Sequence, residues 1–128
     1  MAALPADLRA ALAAWTIYTD NTCDASNSSA TVTASVDYLP LLSEFEVQGS
    51  RTYANEYEKN LQTQMSYYAN GNSKIKYKHG SVGDTCIWWV RSAHCNFSYI
   101  FYNVNTSGFP SYFIANTAFG LAPAFRVA

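Results

Sequence analysis

Two histidines, His79 and His94, are the only side chains whose ordinary pKa suits proton transfer near neutrality. Neither sits in a motif, because the chain holds no H-E-x-x-H, no G-x-S-x-G and no Gly-rich phosphate loop. Each reads as a surface or loop histidine. Glu44 and Glu46 would project to one side of a strand and imitate a catalytic carboxylate pair, although a solvated strand face is the simpler reading. Asp20, Asp24 and Asp37 lack the regular spacing of a calcium loop. Asp84, in Gly83-Asp84-Thr85, reads as a turn residue that caps local backbone. The three cysteines, Cys23, Cys86 and Cys95, are odd in number and have no C-x-x-C spacing. They argue against a disulfide framework and a zinc site, and leave open whether any two of them pair. The expectation is a protein without catalytic residues, metal or other cofactor.

What remains is contact chemistry. Ten Tyr, seven Phe and three Trp make up 16% of the chain, and about half of them follow residue 87. Aromatic side chains give large contact area at low entropic cost, which suits a binding surface, but they also suit a β-rich core. The 128 residues are one domain's worth, and 49% hydrophobic with 13% charged excludes a disordered chain. A net charge of −1 with scattered basic residues makes nucleic acid a poor partner. No apolar run reaches the roughly 20 residues a membrane helix requires, so no membrane insertion is expected. Asp7 and Arg9 interrupt the Ala-rich segment Met1–Trp15, which therefore does not read as a signal peptide.

The elements that must position these residues follow from spacing. Leu4, Leu8, Leu12 and Trp15 fall on one face of a helix over 4–15, with Pro5 and Asp7 in its first turn. A polar loop is expected over Thr19–Ala30, then strands over Thr31–Val36 and Tyr38–Val47, broken near Pro40. A second helix is expected from Ala54 to Asn70, burying Tyr57, Leu61, Met65 and Tyr68 and stopping at Gly71. Lys74-Ile75-Lys76-Tyr77-Lys78 reads as a half-exposed strand whose lysines face solvent or guard an edge. Cys86–Val90 reads as a buried strand. Further strands are expected at Tyr99–Val104, at Tyr112–Ile114 after a turn over Asn105–Gly108, and at Ala124–Val127 as the closing strand.

The C-terminal third differs in composition. Between Ser92 and Phe125 there is no Lys, Glu, Gln, Met or Trp, whereas the first 91 residues hold sixteen of them. At that rate about six would fall in the window. Codons with two variable bases and a third pyrimidine exclude these five types and encode every type that occurs. That repertoire is expected when asparagine codons AAC or AAT are randomised at their adenines. A polar, aromatic β-region that merely avoids five residue types is the alternative.

The chain resembles a family of domains from gut Firmicutes and their phages. The resemblance runs through Leu4-Pro5-Ala6-Asp7-Leu8-Arg9, Tyr18-Thr19-Asp20-Asn21-Thr22, Leu41 to Val47, Arg51 to Asn55 and Tyr67 to Lys74. It continues through Trp88-Trp89-Val90-Arg91-Ser92, Val104 to Gly108, and Gly120-Leu121-Ala122-Pro123-Ala124-Phe125. The ending Ala124-Phe125-Arg126-Val127 is similar to the G-F-R-V ending of the formylglycine-generating-enzyme type of C-type-lectin-like fold. Variable proteins of diversity-generating retroelements are built on that fold. Ala93 and Ala124 stand where the pattern has Pro and Gly, and the paired active-site cysteines of the formylglycine enzymes are not recognisable.

The resemblance implies an α+β, C-type-lectin-like domain with two helices packed on short antiparallel strands, and scaffold without enzyme activity. It implies a framework of Trp88, Trp89, Arg91, Ser92, Val104, Asn105, Gly108, Gly120, Pro123 and Phe125. The positions free to differ would carry binding: Val90, His94, Cys95, Phe97, Tyr99, Tyr102, Asn103, Ser107, Phe109, Ser111, Phe113, Thr117 and Phe119, with Asn96, Ile100 and Ile114 also variable. The implied ligand is a protein or glycan on a target cell surface, met from a phage tail or a bacterial surface, with an oligomer left open. A structural virion or cell-surface domain, or an enzyme of the same fold, are the alternatives. The variable aromatics His94, Phe97, Tyr99, Tyr102, Phe109, Phe113 and Phe119 are expected mostly to share one exposed face.

Overall fold

The computed structural model describes residues 4–21 and 28–128; Cys23 and Asp24 lie outside them. The chain is a small α+β domain of short, mostly antiparallel strands with a few short helices. Helix α1 spans Ala6–Ala11, with Pro5 as its N-cap and Asp7 in its first turn. It stops four residues earlier than the Leu4–Trp15 stripe predicts, because Leu12 turns to extended backbone. Leu12 and Ala13 form β1, and Trp15–Asp20 form β2. Here pairing overrides helical spacing: β2 is rich in β-branched and aromatic residues, and it pairs along its whole length with β3, Val32–Asp37. Trp15 and Ile17 thereby enter the core from a strand.

The expected strand over Tyr38–Val47 is replaced by helix α2, Glu44–Gln48. Its cause is a capping box. Ser43 Oγ accepts the Glu46 N–H at 3.1 Å and a Glu46 carboxylate oxygen accepts the Ser43 N–H at 2.8 Å. Gly49, at φ 70°, ends the helix in the left-handed conformation that glycine adopts without strain. The long helix expected over 54–70 is two single turns, α3 (Glu56–Lys59) and α4 (Ser66–Ala69). Between them the backbone is claimed by α2: Met65 N–H donates to Glu46 O and the Gln64 amide to Val47 O. Tyr57 and Leu61 are consequently exposed, while Tyr68 is buried.

Strands β4 (Lys76–Tyr77) and β5 (Thr85–Cys86) form a two-residue ladder. Ser81 Oγ donates to the Asp84 carboxylate in the turn between them, where a turn was expected. The main sheet holds β6 (Trp88–Ala93), β7 (Ile100–Val104), β8 (Pro110–Ile114) and β9 (Gly120–Leu121) in the order β8-β7-β6-β9. β6-β7 and β7-β8 are antiparallel, and β9 lies parallel to β6 with Gly120 opposite Trp88. A Cβ at Gly120 would meet Cys86 Sγ at 3.2 Å and Ile87 O at 3.3 Å, so only glycine allows this approach without displacement. The turn from β7 to β8 is the one the spacing predicts. Asn105 Oδ1 accepts the N–H groups of Ser107 and Phe109, and Gly108 takes φ 85°. The closing strand β10, Arg126–Val127, pairs with β1.

The core is Trp15, Ile17, Leu42, Val47, Tyr68, Trp88, Val90, Tyr102 and Val104. Trp88 is 1% exposed and donates its indole N–H to Lys74 O at 3.0 Å. Of the other aromatic residues in the implied framework, Trp89 is half-buried and Phe125 is 44% exposed.

Candidate binding surface

The floor under the C-terminal third is a buried polar network. Arg91 forks onto Glu46, with Nη1 to Oε2 at 2.6 Å and Nη2 to Oε1 at 3.0 Å, and also donates to Leu41 O and Tyr18 O. Ser92 Oγ accepts the Glu44 N–H at 2.9 Å and donates to Glu58 Oε1 at 2.6 Å. The Glu44 carboxylate accepts the Thr52 and Ala54 N–H groups. Glu44 and Glu46 are therefore buried, not a solvated strand face, and their oxygens are taken up in holding the 50–54 loop and β6. Burial pushes the Glu58 carboxyl upward against the hydrogen bonds of Ser92 and Gln62 and the charge of Arg91. No group of three His, Cys, Asp or Glu among the described residues is placed to hold a metal ion.

Above this floor, alternation along β7 and β8 sorts the candidate residues. Ile100, Tyr102 and Val104 pair with Ile114, Tyr112 and Pro110; Phe101 and Asn103 pair with Phe113 and Ser111. Five candidates are inside. Val90 (3% exposed) and Tyr102 (1%) point into the core, and Cys95 (5%) is covered beside Arg51, whose Nη2 lies 3.6 Å from its Sγ. His94 is also buried, stacked on Tyr53 at 5.1 Å, with Nδ1 accepting the Asn96 N–H. Burial, then the nearby charge of Arg51, lowers its pKa. Asn103, between Trp89 and Ser111 in the ladder, is 2% exposed and its Oδ1 has no hydrogen-bond partner. The expectation that these five present themselves to a ligand is corrected: the neighbours Tyr102 and Asn103 are both buried, so β7 is covered on both faces there, which composition does not reveal.

The rest are accessible. Phe97, Tyr99, Phe109 and Phe113 are exposed by 43%, 57%, 65% and 50%, and Ser107 is exposed; Ser111, Thr117 and Phe119 are half-buried. They do not share a single face. Phe97 and Tyr99 continue a ring cluster with His94, Tyr53, Tyr102 and Tyr112. Phe113 and Phe119 form a second cluster with Trp89. Tyr112 and Phe113 are adjacent on β8, so the clusters lie on opposite sides of that strand. β8 is the edge of its sheet, and apolar side chains therefore flank an edge strand on both sides. Beside the second cluster, Leu41, Trp89, Phe101 and Leu121 border a shallow apolar hollow of about 250 Å³.

Sequence reasoning missed Tyr53 and Tyr112. Tyr112 was detectable in principle from its place opposite Tyr102; Tyr53 lies in a loop with no local signal. Tyr102 is raised far above the usual tyrosine range, by burial first and then by the Glu44 charge.

Fold and surface together define a small α+β domain whose C-terminal third carries exposed aromatic residues around an edge strand. Residues 1–128 match the family described as Domain of unknown function (DUF6273), and the chain belongs to that family. No curated protein and no solved structure matches it. No helix among the described residues is long and apolar enough to cross a membrane.

Proposed function

We propose that this chain is a non-catalytic ligand-binding domain of the C-type-lectin-like kind, formylglycine-generating-enzyme type, with a retroelement-diversified C-terminal third. Its ligand in this reading is a protein or glycan on a target cell, and it works from a phage tail or a bacterial surface. The observation that carries the reading is the exposure of Phe97, Tyr99, Phe109 and Phe113 within one stretch of a small domain. Exposed apolar groups gathered along both sides of one edge strand mark interaction surfaces. A closing strand paired with β1 supports the fold assignment. The carboxylates that would serve an enzyme, Glu44, Glu46 and Glu58, are instead tied into the floor.

The test is a variant with Phe97, Tyr99, Phe109 and Phe113 all changed to Ser, screened against glycan and cell-surface protein arrays beside the parent. Surface changes cost about 0.5 kcal/mol or less each, so the variant keeps a cooperative melt while the parent's array hits disappear. Unfolding of the variant, or retention of every hit, would overturn the reading. The encoding DNA is a second check: a near-copy of the codons for residues 88–125, differing at template adenines beside a reverse transcriptase gene, is expected.

A further inference from the structure

A hollow of about 590 Å³ opens beside the β4-β5 ladder and touches the second aromatic cluster only at Phe119. Lys76, Lys78 and His79 line it, and no Asp or Glu does. The chain as a whole has net charge −1, so this local excess of cations is a departure from its average. Lys76 is not a solvated strand residue. It is half-buried, with its ammonium 5.6 Å from the Trp88 ring and 5.8 Å from the Tyr68 ring. Cation–π contact fixes it at the wall and removes part of its water, and it has no carboxylate partner among the described residues. A partly dehydrated cation of this kind is favourable for an anion to meet.

We propose that this hollow binds a sugar bearing a carboxylate, with Lys76 and Lys78, on one face of β4, holding the anionic group and Phe119 lying against the sugar ring. The volume falls in the roughly 300–1,000 Å³ range of small-ligand sites. Thr85 and Thr106 are also among its lining residues, so polar residues and the flat Phe119 ring occur together. Sugars present that same mixture of hydroxyl edges and apolar ring faces. An acidic peptide would use a longer strip or pair along a strand edge, whereas the cations here lie within residues 76–79. The site meets the aromatic surface at Phe119 and uses none of Phe97, Tyr99, Phe109 or Phe113.

The full chain is titrated calorimetrically with a glucuronic acid trisaccharide, the matching glucose trisaccharide, a sulfated glucose trisaccharide and hexaglutamate. The glucuronate is expected to bind about tenfold or more tighter than the neutral sugar, as loss of a charge-assisted hydrogen bond implies. Added salt weakens it. Lys78→Met, on an exposed side chain, lowers glucuronate affinity about tenfold without moving the melting temperature. Lys76→Met does the same and Lys76→Arg restores most of it, which separates charge from packing. The substitution of Phe97, Tyr99, Phe109 and Phe113 by Ser leaves glucuronate binding intact. Equal binding of the neutral sugar, preference for hexaglutamate or for the sulfate ester, no effect of Lys78→Met, or no binding of any probe would each overturn the proposal.

Discussion

Replacing Arg91 by Met would remove a guanidinium that donates twice to Glu46 and once each to Leu41 O and Tyr18 O. The side chains of Arg91 and Glu46 are 8% and 6% exposed, so water cannot re-solvate what is left. Breaking such a buried pair from one side costs about 3–5 kcal/mol, because the remaining carboxylate keeps its charge and loses its counter-ion. Against a typical stability of about 5–15 kcal/mol, that is a large fraction. For a domain of this size it corresponds to a melting temperature lowered by about 10–20 °C. Glu46→Gln should cost less, since its amide oxygen still accepts the Ser43 N–H that closes the capping box. The double variant should lose less than the sum of the singles, with a coupling of about 1–3 kcal/mol. Urea melts followed by tryptophan fluorescence suit the measurement, since Trp15 and Trp88 are buried. A loss under about 1 kcal/mol for Arg91→Met, the range of exposed pairs, or strict additivity in the cycle, would refute the claim that this pair holds β6 to α2.

Trp88→Ala should cost about 3–5 kcal/mol, while Phe125→Ala, on a largely exposed ring, should cost less than about 1 kcal/mol; equal losses in urea would contradict the core described above. Two groups should give opposing pH dependence. His94 has a depressed pKa, so the native state binds fewer protons than the unfolded chain, and stability is lost as pH falls from 6.5 toward the depressed value. Glu58 has a raised pKa, so the native state holds its proton longer, and stability is lost as pH rises from 4.5 through the raised value. His94→Phe should flatten the first loss and Glu58→Gln the second in melts across this range. Unchanged slopes in both variants would show that neither site is buried as described.

The parts of the fold that were legible in the sequence are those fixed by neighbours along the chain. The Asn105–Gly108 turn needs a side chain that accepts backbone N–H groups and a residue with positive φ, and both are local. Strands β6, β7 and β8 were visible for the same reason: short aromatic and β-branched runs between punctuating residues. Misreadings arose where a local signal competed with a distant one. The Leu4–Trp15 stripe has helical spacing, but β3 and β10 take its second half as paired strand. Ser43-Glu44-Phe45-Glu46 satisfied both an alternating strand and a capping box, and the partners that decide between them, Ser92 and Arg91, lie more than forty residues away.

The candidate surface shows the same division at finer grain. Composition located the stretch that carries contact chemistry, yet whether a side chain there faces in or out depends on register. Tyr102 and Tyr99 are three residues apart, alike in type, and 1% and 57% exposed. A register shift in β6 between Trp89 and Ala93 compounds the difficulty, because it breaks strict alternation just before His94 and Cys95 go inside. In a small sheet, inward positions carry the burden of packing. If the stretch is diversified as proposed, Tyr102, Val90 and Asn103 must accept substitution without collapse of the floor. The Arg91–Glu46 and Ser92–Glu58 contacts would then have to supply the stability that lets aromatic positions above them change.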